Sequence, residues 1–120
     1  MIKNKTGVWG EIFAARYLRD NGYEILSSNY TCRFGEIDIV AEKGGVICFV
    51  EVKTRNKKTR IRPMEAVDEG KQKRLEMAAK SFLSAAKIES ETVFDVCEVY
   101  LDDNDALCGI NYIKNAFQVM

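Results

Sequence analysis

Apolar positions recur with two different periods along this chain. Over Val8–Asp20 they fall three and four apart, at Phe13, Ala14, Tyr17 and Leu18, while Arg16, Arg19 and Asp20 take the other side. That spacing predicts an amphipathic helix, and Asn21-Gly22 ends it. Trp9 and Tyr17 are read as core residues of this helix. Tyr23–Tyr30, Gly35–Glu42 and Val46–Thr54 read as three strands, and Glu42-Lys43-Gly44-Gly45 as the hairpin turn joining the last two. Arg55–Pro63 is a basic loop holding the only proline. A second helix is predicted from about Ala66 to Lys87, with Leu75, Ala78, Ala79, Phe82 and Ala86 as its inner stripe. Thr92–Leu101 reads as a fourth strand, Asp102–Asp105 as a turn and Leu107–Tyr112 as an optional fifth strand. Asn115–Met120 is too short to assign. The order αβββαβ(β) predicts an α/β domain, 1–120, in which a mixed sheet is flanked by helices.

Charges interrupt two of these apolar strands. The run Gly35-Glu36-Ile37-Asp38-Ile39-Val40-Ala41 is followed by Phe49-Val50-Glu51-Val52-Lys53. An acid or a lysine buried without a partner costs several kcal/mol, so a sheet does not hold them there uncompensated. Alternation puts Glu51 and Lys53 on one face, opposite Val50 and Val52, and puts Asp38 on a face with Glu36 and Val40. With the turn tip at Lys43-Gly44, Asp38 pairs with Phe49 and Glu36 with Glu51. Asp38 and Glu51 are then diagonal neighbours, roughly 7–8 Å apart and able to reach one cation. A one-residue slip would separate them. An Asp followed across a hairpin by Glu-x-Lys is the layout of a metal-dependent nuclease site. A lone Glu-x-Lys, by contrast, is most simply an ion pair on a solvated face.

Composition narrows the chemistry. The 120 residues are 47% hydrophobic, enough for one core, and the formal net charge is zero. The charges are nonetheless segregated. Lys53, Arg55, Lys57, Lys58, Arg60 and Arg62 cluster with no acid among them, and Lys71, Lys73 and Arg74 follow. Glu89 to Asp105 carries only acids. A neutral total therefore hides a basic segment suited to phosphates. Histidine is absent, which excludes Ser-His-Asp triads and histidine-ligated zinc. Cys32, Cys48, Cys97 and Cys108 form no C-x-x-C pair and are read as small buried thiols. Without a signal-peptide pattern or a membrane-length apolar run, a cytoplasmic location is expected, with no membrane partner.

Together these residues resemble the PD-(D/E)XK nuclease superfamily, whose fold is restriction-endonuclease-like. More closely the chain resembles the YraN-like family of small bacterial proteins. The likeness runs through Gly10-Glu11, Ala14, Tyr17-Leu18, Gly22-Tyr23, Gly35 to Ala41, Phe49 to Arg55, Glu65-Ala66-Val67, Lys71, Arg74-Leu75, Phe94-Asp95-Val96 and Asn115-Ala116-Phe117. Archaeal Holliday junction resolvases are similar at greater distance, with the same Glu…Asp…Glu-x-Lys order.

The resemblance implies roles. Asp38, Glu51 and the Val52 carbonyl would hold Mg²⁺ or Mn²⁺. Glu11 would reach in from the first helix as an outer or second-metal ligand, and Glu36 could assist. Lys53 would orient the attacking water and stabilise developing charge. Apart from the resemblance, the position of the basic loop suits Arg55, Lys57, Lys58, Arg60 and Arg62 to contact nucleic acid, DNA being favoured over RNA. Lys71 and Gln72 could contact phosphate or support the site, a plain surface amide being the other reading of Gln72. Asp95 is read as pairing with basic residues or facing solvent. Cutting both strands of a duplex or junction would call for a homodimer. The alternative is a nucleic-acid-binding module that cleaves slowly or not at all, with RNA processing a third reading.

Overall fold

The computed structural model describes residues 5–56 and 68–118. Helix α1 spans Lys5–Asp20 and is followed by strands β1 (Glu24–Cys32), β2 (Gly35–Lys43) and β3 (Val46–Asn56). Helix α2 spans Glu69–Ala86, and β4 (Glu91–Leu101) and β5 (Leu107–Phe117) close the chain. The protein is thus α/β, the described residues forming two helices and a five-stranded mixed sheet in the order β1-β2-β3-β4-β5. Only β3 and β4 run parallel, from Val46↔Glu91 to Asn56↔Leu101. Parallel neighbours need a long crossover, and α2 lies within it. The predicted start of the second helix at Ala66 lies outside the described residues. The fifth strand is no option but a full element. It runs through Asn115–Phe117, with Asn115 at φ +49 where the β4–β5 register shifts.

The β2–β3 turn sits one residue later than predicted. Lys43 pairs with Val46, so Gly44-Gly45 forms the tip. Both glycines have positive φ, +59 and +81, as a two-residue primed turn requires. The register therefore moves by two residues, pairing Phe49 with Val40 instead of Asp38.

Each sheet face has its own core. On one, Ala14 and Leu18 of α1 pack with Ile39, Ala41, Cys48, Val50, Cys97 and Val99. On the other, Leu75, Ala78 and Ala79 of α2 pack with Ile37, Val40, Ile47, Phe49 and Val96. Phe49 stacks on Phe94 with centroids 5.5 Å apart and meets Phe82 edge-on. Gly10 lets α1 approach β3, since a Cβ there would lie 1.9 Å from Thr54 Oγ1.

Some core assignments change. Trp9 is 37% exposed and rests on Phe13 instead of entering the core. All four cysteines are free, but only Cys48 and Cys97 are buried; Cys108 is exposed. Asp95 does not face solvent, and among the described residues no salt bridge joins it to a cation. It is 2% exposed, accepts the Tyr112 hydroxyl at 2.5 Å and the Asn115 N–H at 2.8 Å, and so joins β4 to β5. Among the described residues, no helix is long and apolar enough to cross a membrane.

Candidate metal centre

The predicted site lies where β2 and β3 part. Their ladder runs from Lys43↔Val46 to Ile39↔Val50 and stops, although both strands continue. One step beyond, Asp38 faces the gap. Its Oδ2 accepts the Val52 N–H at 2.9 Å, replacing a backbone partner with a carboxylate. A residue in a ladder points its N–H and C=O to the same edge, so the Val52 carbonyl faces this gap too.

Strict alternation also fails here. Asp38 and its neighbour Ile39 both line the cleft beside α1, while Ile37 and Val40 both pack toward α2. Val40 thus does not share a face with Asp38, against the sequence expectation. The cause sits on both flanks. Asn29, across from Asp38 in the β1–β2 register, has φ +55, and β3 no longer holds the other edge. Irregularities of this kind re-aim side chains beside functional sites.

This twist brings three acids together. Ligand oxygens of Glu11, Glu36 and Asp38 lie within 4.8 Å of one another. They line an open cleft of about 850 Å³ between α1 and the β1–β2 strands, walled by Val8, Ile12 and Ala15 on one side and Ser28, Asn29 and Thr31 on the other. Glu36 is a full member of this trio, beyond the assisting part the sequence suggested. An all-carboxylate donor set suits a hard divalent cation such as Mg²⁺ or Mn²⁺.

Glu51 is not in that trio. Its strand neighbours alternate so that it points toward α2, where Lys71 Nζ lies 2.6 Å from its Oε1. Lys53 Nζ is 3.4 Å from the same oxygen. Glu51 itself is buried. Burial pushes the Lys71 ammonium down, but its bond to Glu51 and the charge on Glu51, with Lys53 and Asp38 adding, outweigh burial and hold it above its ordinary value. Asp38 stands between the two groups: it belongs to the acidic trio and its charge reaches Lys71. Lys71 is anchored by the start of α2, where its N–H caps onto Asp68 Oδ1 at 2.8 Å. Gln72 is the next residue on that turn.

Arg55 departs from its predicted role. It is 7% exposed, with its guanidinium 4.0 Å from Glu98, which also takes bonds from Tyr100 and Asn111. A buried guanidinium of this kind does not meet solvent phosphates. The sequence reading placed Arg55 at the start of the basic loop, whereas β3 runs on to Asn56 and carries Arg55 within it. Lys57, Lys58, Arg60 and Arg62 lie outside the described residues.

The profile of the Uncharacterised protein family UPF0102 matches residues 10–99, from the glycine before Glu11 to the end of the buried stretch of β4. The chain belongs to the UPF0102 family. This is the family seen as YraN-like in the sequence. A UPF0102 protein of Moorella thermoacetica is 42% identical over 118 residues, covering 98% of each chain. One from Caldicellulosiruptor saccharolyticus is also 42% identical over 118 residues, covering 98% of this chain and all of its own. A UPF0102 protein of Clostridium perfringens is 40% identical over 114 residues. The UPF0102 match spans every acid of the trio together with Glu51, Lys53 and Lys71.

Proposed function

We propose that the protein is a metal-dependent phosphodiesterase of restriction-endonuclease-like fold that hydrolyses DNA. The observation behind this reading is the position of Asp38. It sits in the split of the sheet, its oxygens within 4.8 Å of those of Glu11 and Glu36, while it holds the N–H of Val52, the residue between Glu51 and Lys53, and its charge reaches Lys71. Glu11, Glu36 and Asp38, with Glu51 and the Val52 carbonyl nearby, would hold Mg²⁺ or Mn²⁺. The ion supplies an acidified water and offsets charge on the scissile phosphate. Asp38 is fixed for that work by the Val52 N–H. Lys53 orients the water and stabilises the charge that develops on the phosphate. The basic residues Lys57, Lys58, Arg60 and Arg62 would contact the phosphate backbone, a task from which Arg55 is removed by its burial.

A second reading has its own support. Two ammonium groups already meet Glu51 Oε1, so part of the centre is neutralised from within. A nucleic-acid-binding module that cleaves slowly or not at all fits that balance. The deciding experiment is a cleavage panel of single-stranded, duplex, flap and four-way-junction DNA, with an RNA arm, in Mg²⁺ and in Mn²⁺. Asp38→Ala serves as the contaminant control. Metal-dependent cutting by wild type alone supports the enzyme; binding of every substrate without cutting transfers the conclusion to the binding module.

A further inference from the structure

Two ammonium groups already share one oxygen of Glu51. Lys71 reaches it from the first turn of α2, on a different element from every acid of the centre, and closes to 2.6 Å. The four charges Asp38, Glu51, Lys53 and Lys71 sum to zero around one buried carboxylate. Adding a dication beside Glu51 while both ammoniums stay would place three positive centres around it. Lys53 is confined to the same strand face as Glu51. Lys71 is different, for its side chain is 35% exposed and hangs from a helix terminus. Of the two, Lys71 is the one able to swing away, and a long flexible ammonium is well suited to exchange one anion for another.

We propose that Lys71 is the resident counter-ion of Glu51, released from Oε1 when a divalent cation enters and transferred to the substrate phosphate. The inference rests on the metal-centre reading above and adds a coupling to it. Without nucleic acid, Lys71 competes with the cation and keeps its affinity low. With a phosphate present, the ammonium has a second partner, and cation and substrate favour one another's binding.

The test is calorimetric titration of Mn²⁺ into the full chain, alone and with a non-cleavable phosphorothioate duplex. Lys71→Met keeps the length of the side chain and removes its charge. It should bind Mn²⁺ alone roughly tenfold more tightly than wild type, the order expected for removing a unit charge a few ångströms from a dication in a wet site. The duplex should tighten Mn²⁺ binding to wild type and do so much less for Lys71→Met. Lys71→Arg, which keeps the charge, should stay near wild type. A second measurement needs no variant: in the wild-type protein, labelling of the Lys71 amine by an amine-reactive reagent, read by mass spectrometry, should speed up on Mg²⁺ saturation. Unchanged Mn²⁺ affinity in a folded Lys71→Met protein overturns the proposal, as does a labelling rate indifferent to Mg²⁺. Asp38→Asn separates the two levels. If wild type and Asp38→Asn both bind no Mn²⁺, the metal centre itself fails and this inference with it. If wild type binds and Asp38→Asn does not, a negative Lys71 result refutes only the counter-ion role.

Discussion

Asp38 accepts the Val52 N–H and is also a proposed metal ligand, and substitutions can divide the two roles. Asparagine retains an oxygen for the Val52 N–H but loses the charge. Asp38→Asn should therefore melt close to wild type while losing most Mn²⁺ affinity. Asp38→Ala leaves that N–H without its partner and should cost about 1–3 kcal/mol in addition, read by denaturant unfolding. Equal stability of the two variants would show that the bond contributes nothing. Lys53 answers a different question. Lys53→Ala should leave DNA binding nearly intact and slow single-turnover cleavage, because its proposed partners are the attacking water and a charge present only in the transition state. Cleavage at the wild-type rate would remove Lys53 from the mechanism. At this scale the sequence was informative wherever a charge broke an apolar run: Asp38, Glu51 and Lys53 all stand out. It misplaced Asp95 and Arg55, reading the first as ion-paired or solvent-facing and the second as a nucleic-acid contact, where both are buried. Their surroundings are built across strands: Tyr112 of β5 bonds Asp95, and Asn111 of β5 bonds Glu98, the partner of Arg55.

At the scale of elements, the hairpin shows what pattern reasoning can and cannot resolve. The turn was legible from its glycines, but the tip falls on Gly44-Gly45, shifting the β2–β3 register by two residues. An even shift preserves side-chain parity, so Glu51 kept its face. The break at Asp38 was not legible, because it arises from Asn29 on another strand and from the end of the ladder, neither of which has a local signature in β2. The basic run that begins at Arg55 starts inside β3, so Arg55 and the later basic residues call for different tests. Neutralising Lys57, Lys58, Arg60 and Arg62 together should weaken DNA binding and lower its salt slope by about 0.9 per true phosphate contact. Arg55→Ala should leave that slope unchanged and destabilise the fold instead. The loss is on the order of 2–3 kcal/mol, below that of a tight buried pair because Tyr100 and Asn111 also serve Glu98. Salt-titrated binding beside chemical denaturation distinguishes the two outcomes.

For the whole molecule, the α/β class and the position of both helices followed from hydrophobic period alone, since each apolar stripe needs a sheet face to cover it. The interior that results has consequences for pH. Burial pushes the Cys48 and Cys97 thiols up to about 12, with Asp95 adding to the first and Glu98 to the second. Burial, then the bond to Asp95, also raises Tyr112. These groups fold in their protonated forms. Above the ordinary thiol value the unfolded chain has given up protons that the folded one keeps, so stability is full below that value and falls as pH rises toward 12. Thermal melts across the alkaline range should show this decline, and Cys97→Ala should lessen it if the smaller side chain is tolerated. At pH 8 a thiol reagent should label Cys108 first and reach Cys48 and Cys97 only on unfolding.

The end of the β2–β3 ladder makes half of a central strand behave as an edge. From Cys48 to Val50, β3 is bonded on both sides; from Glu51 onward it keeps β4 on one side, while the ladder to β2 has ended and the carboxylate of Asp38 takes the Val52 N–H. Amide hydrogen exchange should report this boundary within a single strand. The Val50 amide should exchange slowly, with the global stability of the fold, and the Thr54 amide faster through local opening. Val52 should fall between them in wild type and join Thr54 in Asp38→Ala. If Val50, Val52 and Thr54 all exchange at one rate, the strand opens only as a whole. A gradient would mean that the stretch bearing Glu51 and Lys53 can loosen while the rest of the sheet stays closed.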